Sequence, residues 1–325
     1  MTNHLKWIAP TVFLCLGTLL STAVNKPAVN LQIHLDVPYH FVVYGDTRFT
    51  DSRDTRAANA AVRRALVQAI DAEHPAFISI TGDIAYKGDS DNDWKVWDEE
   101  AAIWRQHQIP VYPALGNHDL SGNLQLALAN YSARFPQLKG SRYYSVSAGS
   151  NLMLVLDSSL DELTGPQGQW LKYKLDHLPP AVEFVFFVLH HPPYTSLSSL
   201  SLLLPGHGAR PSEMALAKEL EACQQHAQAR LVVFSGHVHN YERHEHNGVT
   251  YFVTGGGGAS AYPIPRASDD AYQDHRINFH YLLVEVGHGR LQITMKRLEF
   301  SGGTPTFTEP DAVTITGSTA APTTR

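Results

Sequence analysis

The sequence predicts an α/β fold, and three observations carry that prediction. From Phe41 onward, short apolar, β-branched runs alternate with longer amphipathic stretches. Five of the apolar runs end in Asp, Asn or His, four of them through a glycine. The chain has 325 residues and 43% hydrophobic content, enough to bury a sizeable core in one large domain or two ordinary ones.

Taken in order, strands are expected at Phe41–Tyr44, Phe77–Ile80, Val111–Ala114, Leu152–Leu156, Phe184–Leu189 and Leu231–Phe234. Helices are expected between them at Thr55–Ala72, Asp93–Gln106, Leu124–Phe135, Gln167–His177 and Ser212–Ala227. In the second helix Trp94, Trp97 and Trp104 recur with Ala101 at helical spacing, a stripe that reads as core. After His239 the pattern changes to strand-like runs at Val249–Val253, Tyr281–Val286 and Leu291–Arg297, with the turn pair Asn247-Gly248 pointing to a hairpin. His244 and His246 flank an acidic residue just before that turn and read as part of a solvated hairpin. Residues 301–325, rich in Ser, Thr, Pro and Gly, read as a loosely held or partly disordered tail.

The N-terminus has the form of a targeting segment. Lys6 supplies a positive start, Trp7–Leu20 an apolar run, and Ser21-Thr22-Ala23 a small-residue cleavage site. Residues 1–23 are therefore expected to be a signal peptide, which would make the protein secreted or periplasmic. The run is interrupted by Pro10 and is too short to span comfortably, so a retained anchor is the weaker reading, and no later stretch could span a membrane. Val12-Phe13-Leu14 lacks the small residues expected before an acylated Cys15. Residues 24–38 are then a short lead-in and residues 39–300 a single domain of catalytic size. Cleavage would leave Cys223 alone, without an intramolecular disulfide partner, in a helical pattern that reads as packing.

Composition narrows the partners. Charged residues are 17% of the chain against an ordinary share of about 25%, and 25 Lys+Arg against 31 Asp+Glu gives a net charge of −6. That argues against a basic nucleic-acid surface. The 18 histidines, where roughly 7 or 8 would be ordinary, point instead to metal or acid–base chemistry.

The strand ends concentrate that chemistry. Phe41–Tyr44 runs into Gly45-Asp46, Phe77–Thr81 into Gly82-Asp83, Val111–Leu115 into Gly116-Asn117-His118-Asp119, and Leu231–Ser235 into Gly236-His237-Val238-His239. Phe184–Leu189 ends directly in His190-His191. Parallel strands present their carboxyl ends at one crevice, so these side chains should converge there, with the glycines allowing tight turns. Singly, each Asp could be a helix cap and each His an ordinary polar residue. Together they form a set of oxygen and nitrogen ligands suited to Zn, Fe or Mn.

The segments GDTR at Gly45, GDIAY at Gly82, GNHD at Gly116, VLHHPPYTS at Val188 and GHVHNYER at Gly236 resemble the five blocks of the calcineurin-like metallophosphoesterases. GDIAY and GHVHNYER resemble more narrowly the purple acid phosphatase branch, whose second block has a tyrosine three residues after the bridging aspartate. The resemblance covers Gly45 to Arg243, about 200 residues. It implies a four-layer α/β/β/α sandwich with two mixed central sheets. It also implies a binuclear centre of Fe(III) and a divalent ion (Zn, Fe or Mn), bridged by Asp83. Asp46, Tyr86 and His239 would complete the ferric site, and Asn117, His190 and His237 the divalent one. His190 is preferred to His191 because the family leaves one residue between ligand and proline. His118 would sit beside the substrate phosphate as a catalytic group.

Two departures stand out. The first block commonly reads Asp-x-His or Asp-x-Gly but is Asp46-Thr47-Arg48 here, which is tolerable if Tyr86 is a ligand. Arg48 could contact phosphate or form a surface ion pair. In 196–210, where the family can place another phosphate-contacting histidine, His207 is the candidate. Leu197, Leu200, Leu202, Leu203 and Leu204 could roof the pocket, although a short core helix fits them better. Gly255–Gly258 read as a loop of special geometry near the site, with no P-loop lysine after it.

These expectations combine into an exported phosphatase acting on small phosphate monoesters, with a metal-bound hydroxide attacking phosphorus in line. The rivals are a phosphodiesterase with the same ligands and a non-catalytic phosphate- or metal-binding envelope protein.

Overall fold

The computed structural model describes residues 28–198 and 206–317. Strand β7 (Phe184–Val188) shows why the molecule is layered. Phe184, Phe186 and Val188 join one apolar cluster, while Val185 and Phe187 join another. A strand buried on both faces has to lie between two layers.

β7 is the middle of a seven-stranded sheet. The order is β1 (Val29–Ile33), β5 (Tyr144–Ala148), β6 (Asn151–Val155), β7, β8 (Arg230–Ser235), β10 (Val249–Thr254) and β9 (Tyr241–His246). A second seven-stranded sheet runs β13 (Thr304–Thr308), β12 (Arg290–Ser301), β11 (Phe279–Gly287), β2 (Tyr39–Tyr44), β3 (Ile78–Ile80) and β4 (Val111–Pro113), with β14 (Ala312–Thr316) also paired to β12. Both sheets mix parallel and antiparallel neighbours, as expected. They meet through large apolar side chains; Phe41 of β2 packs edge-on to Phe186 of β7 with ring centroids 5.2 Å apart.

Helices cover the outer faces. Helices α1 (Ala60–Ala72), α2 (Asp91–Glu100) and α3 (Ala102–Gln106) cover the second sheet through Leu66, Ile70, Trp97 and Trp104, and Trp104 lies edge-on to Tyr44. Helices α5 (Gly165–Asp176) and α6 (Pro211–Gln224) cover the first sheet through Leu171, Leu216 and Leu220. Helix α4 (Leu124–Arg134) sets Tyr131 against Trp94. The tryptophan stripe is core, as its spacing predicts.

Local chemistry sets the boundaries. The first helix begins at Ala60 rather than Thr55, because the Asn59 side chain accepts hydrogen bonds from the amides of Ala61 and Val62. The expected second helix is two, broken at Ala101. Asn247 and Gly248 have φ of 48° and 85°, the left-handed pair that closes a two-residue hairpin between β9 and β10.

The ends of the chain differ from expectation. The lead-in holds β1, which pairs in parallel with β5. Residues 304–316 are not a loose tail: β13 pairs with the far end of β12 and β14 with its beginning. Gly302-Gly303, both at positive φ, close the first of these hairpins, and Phe307, Val313 and Ile315 turn inward. The Ser/Thr content hid an ordinary strand alternation. Leu197 is buried with Val238, Val253 and Ile264. The remaining leucines of that segment, the expected signal peptide and residues 318–325 lie outside the described residues. Among the described residues no helix is long and apolar enough to cross a membrane.

Ile315 tests the corrected C-terminus. Ile315→Ala should lower the urea unfolding free energy by roughly 2–5 kcal/mol, the usual range for emptying a buried aliphatic position. An unchanged midpoint would return residues 304–316 to a loosely attached tail.

Candidate metal centre

β2, β3 and β4 are parallel in one sheet, β7 and β8 in the other, and all five carboxyl ends reach the same edge of the molecule. The amide of Asp46 donates to Gly82 O, the amides of Thr47 and Arg48 donate to Asp83 O, and Gly236 N donates to His190 O. Across the sheets, His237 N donates to Asp46 Oδ2 at 2.8 Å. Asp46, Arg48, Asp83 and His237 all sit at positive φ, between 45° and 71°. Four non-glycine residues of one site in a disfavoured region mark a place where geometry is held against local preference.

The glycines ahead of the ligands act mainly by allowing close approach. Of the four, only Gly82 requires positive φ. A Cβ on Gly116 would lie 2.3 Å from both Asp83 N and Asp83 Oδ1. Their smallness lets adjacent ligand loops touch.

The histidine tautomers can be read from their outer partners. His190 Nδ1 faces Thr81 O at 2.9 Å, His237 Nε2 faces Gly206 O at 3.0 Å, and His239 Nδ1 faces Ser260 O at 2.8 Å. A carbonyl only accepts, so each of these nitrogens carries the hydrogen and the other presents a lone pair. Burial first, then the neighbouring His190, pushes His237 down to about 3. Burial, then Arg48, pushes His239 down to about 3. Burial lowers His190 as well. The rings are therefore neutral at ordinary pH.

The inner atoms have no hydrogens to share. Asn117 Oδ1 is 3.0 Å from His190 Nε2 and 3.1 Å from His237 Nδ1, and those two nitrogens are 3.2 Å apart. Asp83 Oδ1 lies 3.4 Å from His190 Nε2. Beside this group, His239 Nε2 and Asp46 Oδ1 are 3.5 Å apart, and both are buried without a hydrogen-bond partner. Metal bonds of about 2.0–2.2 Å give ligand-to-ligand edges of roughly 3.0–3.5 Å. Two groups of acceptors converge at that spacing, so the residues fit two cations sharing Asp83.

The carboxylates support the same reading. Burial and the nearby Asp83 charge push Asp46 well above the usual range. Burial opposes ionisation of Asp83, but its charged and hydrogen-bonding neighbours, among them the Arg48 guanidinium, hold it below that range. Arg48 places Nε at 3.3 Å and Nη2 at 3.2 Å from Asp83 Oδ2. It forms an ion pair at the heart of the site, where a surface pair was the alternative.

Other expected residues arrive with distinct roles. His118 donates its amide to Asp83 Oδ1 at 2.8 Å, its Nδ1 faces Tyr86 O at 2.7 Å, and its ring stacks on that of Tyr86. His207 packs its ring on His237 with centroids 4.9 Å apart, which brings it to the site. His191 lies beneath, its Nδ1 2.8 Å from Ser158 Oγ and its ring against His237.

Asp119 has a role that the sequence alone does not assign. Its Oδ1 accepts from the amides of Ile84 and Ala85 and its Oδ2 from Gly116 N, fastening the Asp83 loop to the Asn117 loop. The available signal was its place inside the GNHD block. Gly255–Gly258 form a packing loop: Gly257 N donates to Gly45 O at 2.8 Å, and a Cβ on Gly256 would fall 2.2 Å from His280 Nδ1.

Two parallel-strand layers thus end in a shared nest of acceptors that could hold metal ions. The family model described as calcineurin-like phosphoesterase matches residues 39–241, and the chain belongs to that family. No curated protein matches the chain. Among solved structures it is similar to a purple acid phosphatase from yellow lupin (Lupinus luteus) seeds: TM-score 0.65, 19% identity, 87% of this chain and 54% of that one covered. The chain thus spans about half the length of the lupin enzyme. It is also similar to a dimetal phosphatase from Danio rerio, with TM-score 0.55, 15% identity and coverage of 87% and 100%. A Plasmodium protein described as the anchor in the inner membrane complex gives TM-score 0.56 and 19% identity, with coverage of 86% and 88%.

His280, beneath the glycine loop, gives a pH test away from the ligands. Burial pushes it down to about 4, so the folded protein holds fewer protons than the unfolded chain between about 4 and 6.5. Stability should therefore fall as pH drops through that window, by about 3 kcal/mol from this residue. Urea titrations at several pH values should show this component of the slope missing in His280→Gln. Parallel slopes for the two proteins would assign the acid sensitivity elsewhere.

Proposed function

We propose that this chain is an exported hydrolase of phosphate monoesters, with a purple-acid-phosphatase-like centre of Fe(III) and a divalent ion. The observation that carries the proposal is the pair of acceptor-only groups sharing Asp83. Asp46, Tyr86 and His239 would hold the ferric ion with Asp83, and Asn117, His190 and His237 would hold the divalent ion with it. Anionic oxygen donors suit the harder ion and neutral Asn and His the softer one. When bound, the ions supply Lewis acidity and activate water at neutral or acid pH.

The chain's own residues supply the rest. Arg48 and His207 lie beside the centre as donors for the terminal oxygens of a phosphate group. His118 is held by Tyr86 O through Nδ1, which leaves Nε2 to hand a proton to the departing oxygen. A fold alone does not carry activity; the complete ligand set supports catalysis here. Export rests on the form of residues 1–23.

Metal-loaded protein should hydrolyse a chromogenic phosphate monoester faster than the corresponding diester, and Asp83→Asn should abolish both activities. Preference for the diester would replace this reading with the phosphodiesterase. Absence of turnover with both metals verified by elemental analysis would favour the binding protein.

His118→Ala should retain its metals and lose roughly 10²- to 10⁴-fold in kcat. Metal loss on that change, or unchanged turnover, would remove His118 from the proton-transfer role.

Tyr86 decides the branch. Protein loaded with iron and a divalent ion should absorb in the visible through tyrosinate-to-Fe(III) charge transfer. Tyr86→Phe should bleach that band and keep iron through Asp46, Asp83 and His239. A colourless wild type with ferric iron verified would place the protein outside the purple branch.

A further inference from the structure

Strand β9 carries Glu242, His244 and His246 at alternate positions, so all three face the same way. Asp269 and Asp270 approach from the segment before β11, where Asp270 forms an isolated bridge with His244. The solvated hairpin expected here is wrong for its centre: His244 is 1% exposed and Glu242 fully buried.

We propose that His244 Nδ1, His246 Nε2 and Asp269 Oδ2 form a separate site for a divalent transition-metal ion of the zinc class. Asp269 Oδ2 lies 3.3 Å from His246 Nε2 and 3.7 Å from His244 Nδ1. Both nitrogens are buried and lack a hydrogen-bond partner. All three atoms lie within 4.8 Å of one another, a spacing that a small shift onto a shared ion would close, and without the alignment a proton would need.

The supporting contacts are those of a metal-binding imidazole. Glu242 Oε2 accepts from His244 Nε2 at 3.3 Å, which turns Nδ1 toward the site as a carboxylate–histidine–metal arrangement requires. Glu242 is itself held by Thr195 Oγ1 at 2.7 Å and Ser196 N at 2.5 Å. The His246 ring stacks on Tyr194 with centroids 3.9 Å apart, fixing its plane.

Neighbouring charges select Asp269. Asp270 is taken by Arg266 at 2.9 Å, with both side chains fully buried. Arg243 points to Asp311 and Glu245, leaving this face of β9 without its charge. The Asp269 side chain is 48% exposed, which gives an entry path and room for water as the remaining ligand. Two imidazoles and one carboxylate suit zinc, cobalt or nickel better than magnesium or calcium. Through Glu242, an ion here would brace residues 194–196, which continue from the His190–His191 strand end.

Zinc-loaded protein, freed of excess metal by gel filtration, provides the test. His246→Ala and Asp269→Asn should each contain one zinc per chain fewer than wild type while keeping phosphatase turnover. Cobalt titration of His190→Ala/His237→Ala should still produce a visible band of tetrahedral type, and adding His246→Ala should remove it. Should the double variant not fold, the zinc counts on the otherwise intact chain decide. Equal zinc in wild type and both single variants would overturn the proposal. So would loss of all bound metal in either, because the residues would then serve the fold rather than a separate site.

Discussion

Acceptors facing acceptors is the constraint on which the site depends. Asn117 Oδ1, His190 Nε2, His237 Nδ1 and Asp83 Oδ1 crowd together out of water, with backbone carbonyls fixing the hydrogens of both rings on their far sides. Protonation could relieve the crowding only by charging buried imidazoles, which burial opposes. A cation relieves it directly. The strained φ values, the close-packed glycines and the Asp119 clamp all serve to hold together groups that repel one another when empty.

The scaffold meets that constraint by dividing the ligands between two sheets. β2, β3 and β4 deliver carboxylates and an amide, whereas β7 and β8 deliver imidazoles. Neither sheet has a full set for either ion: the Asp46 group needs His239, and the histidine group needs Asn117 and Asp83. Packing between the sheets, through contacts such as Phe41 on Phe186, therefore sets ligand geometry as directly as the loops do.

Much of the fold was legible where local pattern and tertiary setting agree. Apolar runs such as Phe184–Val188 are buried on both faces and announce themselves as strands, and the ligands at their ends mark the crevice. Edge elements were hidden because composition masked their alternation. β1 shows a half-buried, half-exposed pattern, β13 alternates Thr with Pro305 and Phe307, and β14 sets Val313 and Ile315 between Ala and Thr. At the site, residue types identified the centre, but Asp119 needed coordinates, since a carboxylate that clamps backbone looks the same in sequence as one aimed at a metal. His244 was misread because burial on a short hairpin depends on the distant segment around Asp270.

The hydrogen bond from His237 to Asp46 joins residues 191 positions apart in the chain. Contacts of such separation form late, because a long loop must close before they yield any stabilisation. The carboxylates of β2 and β3 are made early in synthesis, yet they have no imidazole partners until β7 and β8 emerge and the two sheets dock. The centre is therefore assembled among the last parts of the fold, and an ion that binds it acts as a latch on the finished topology.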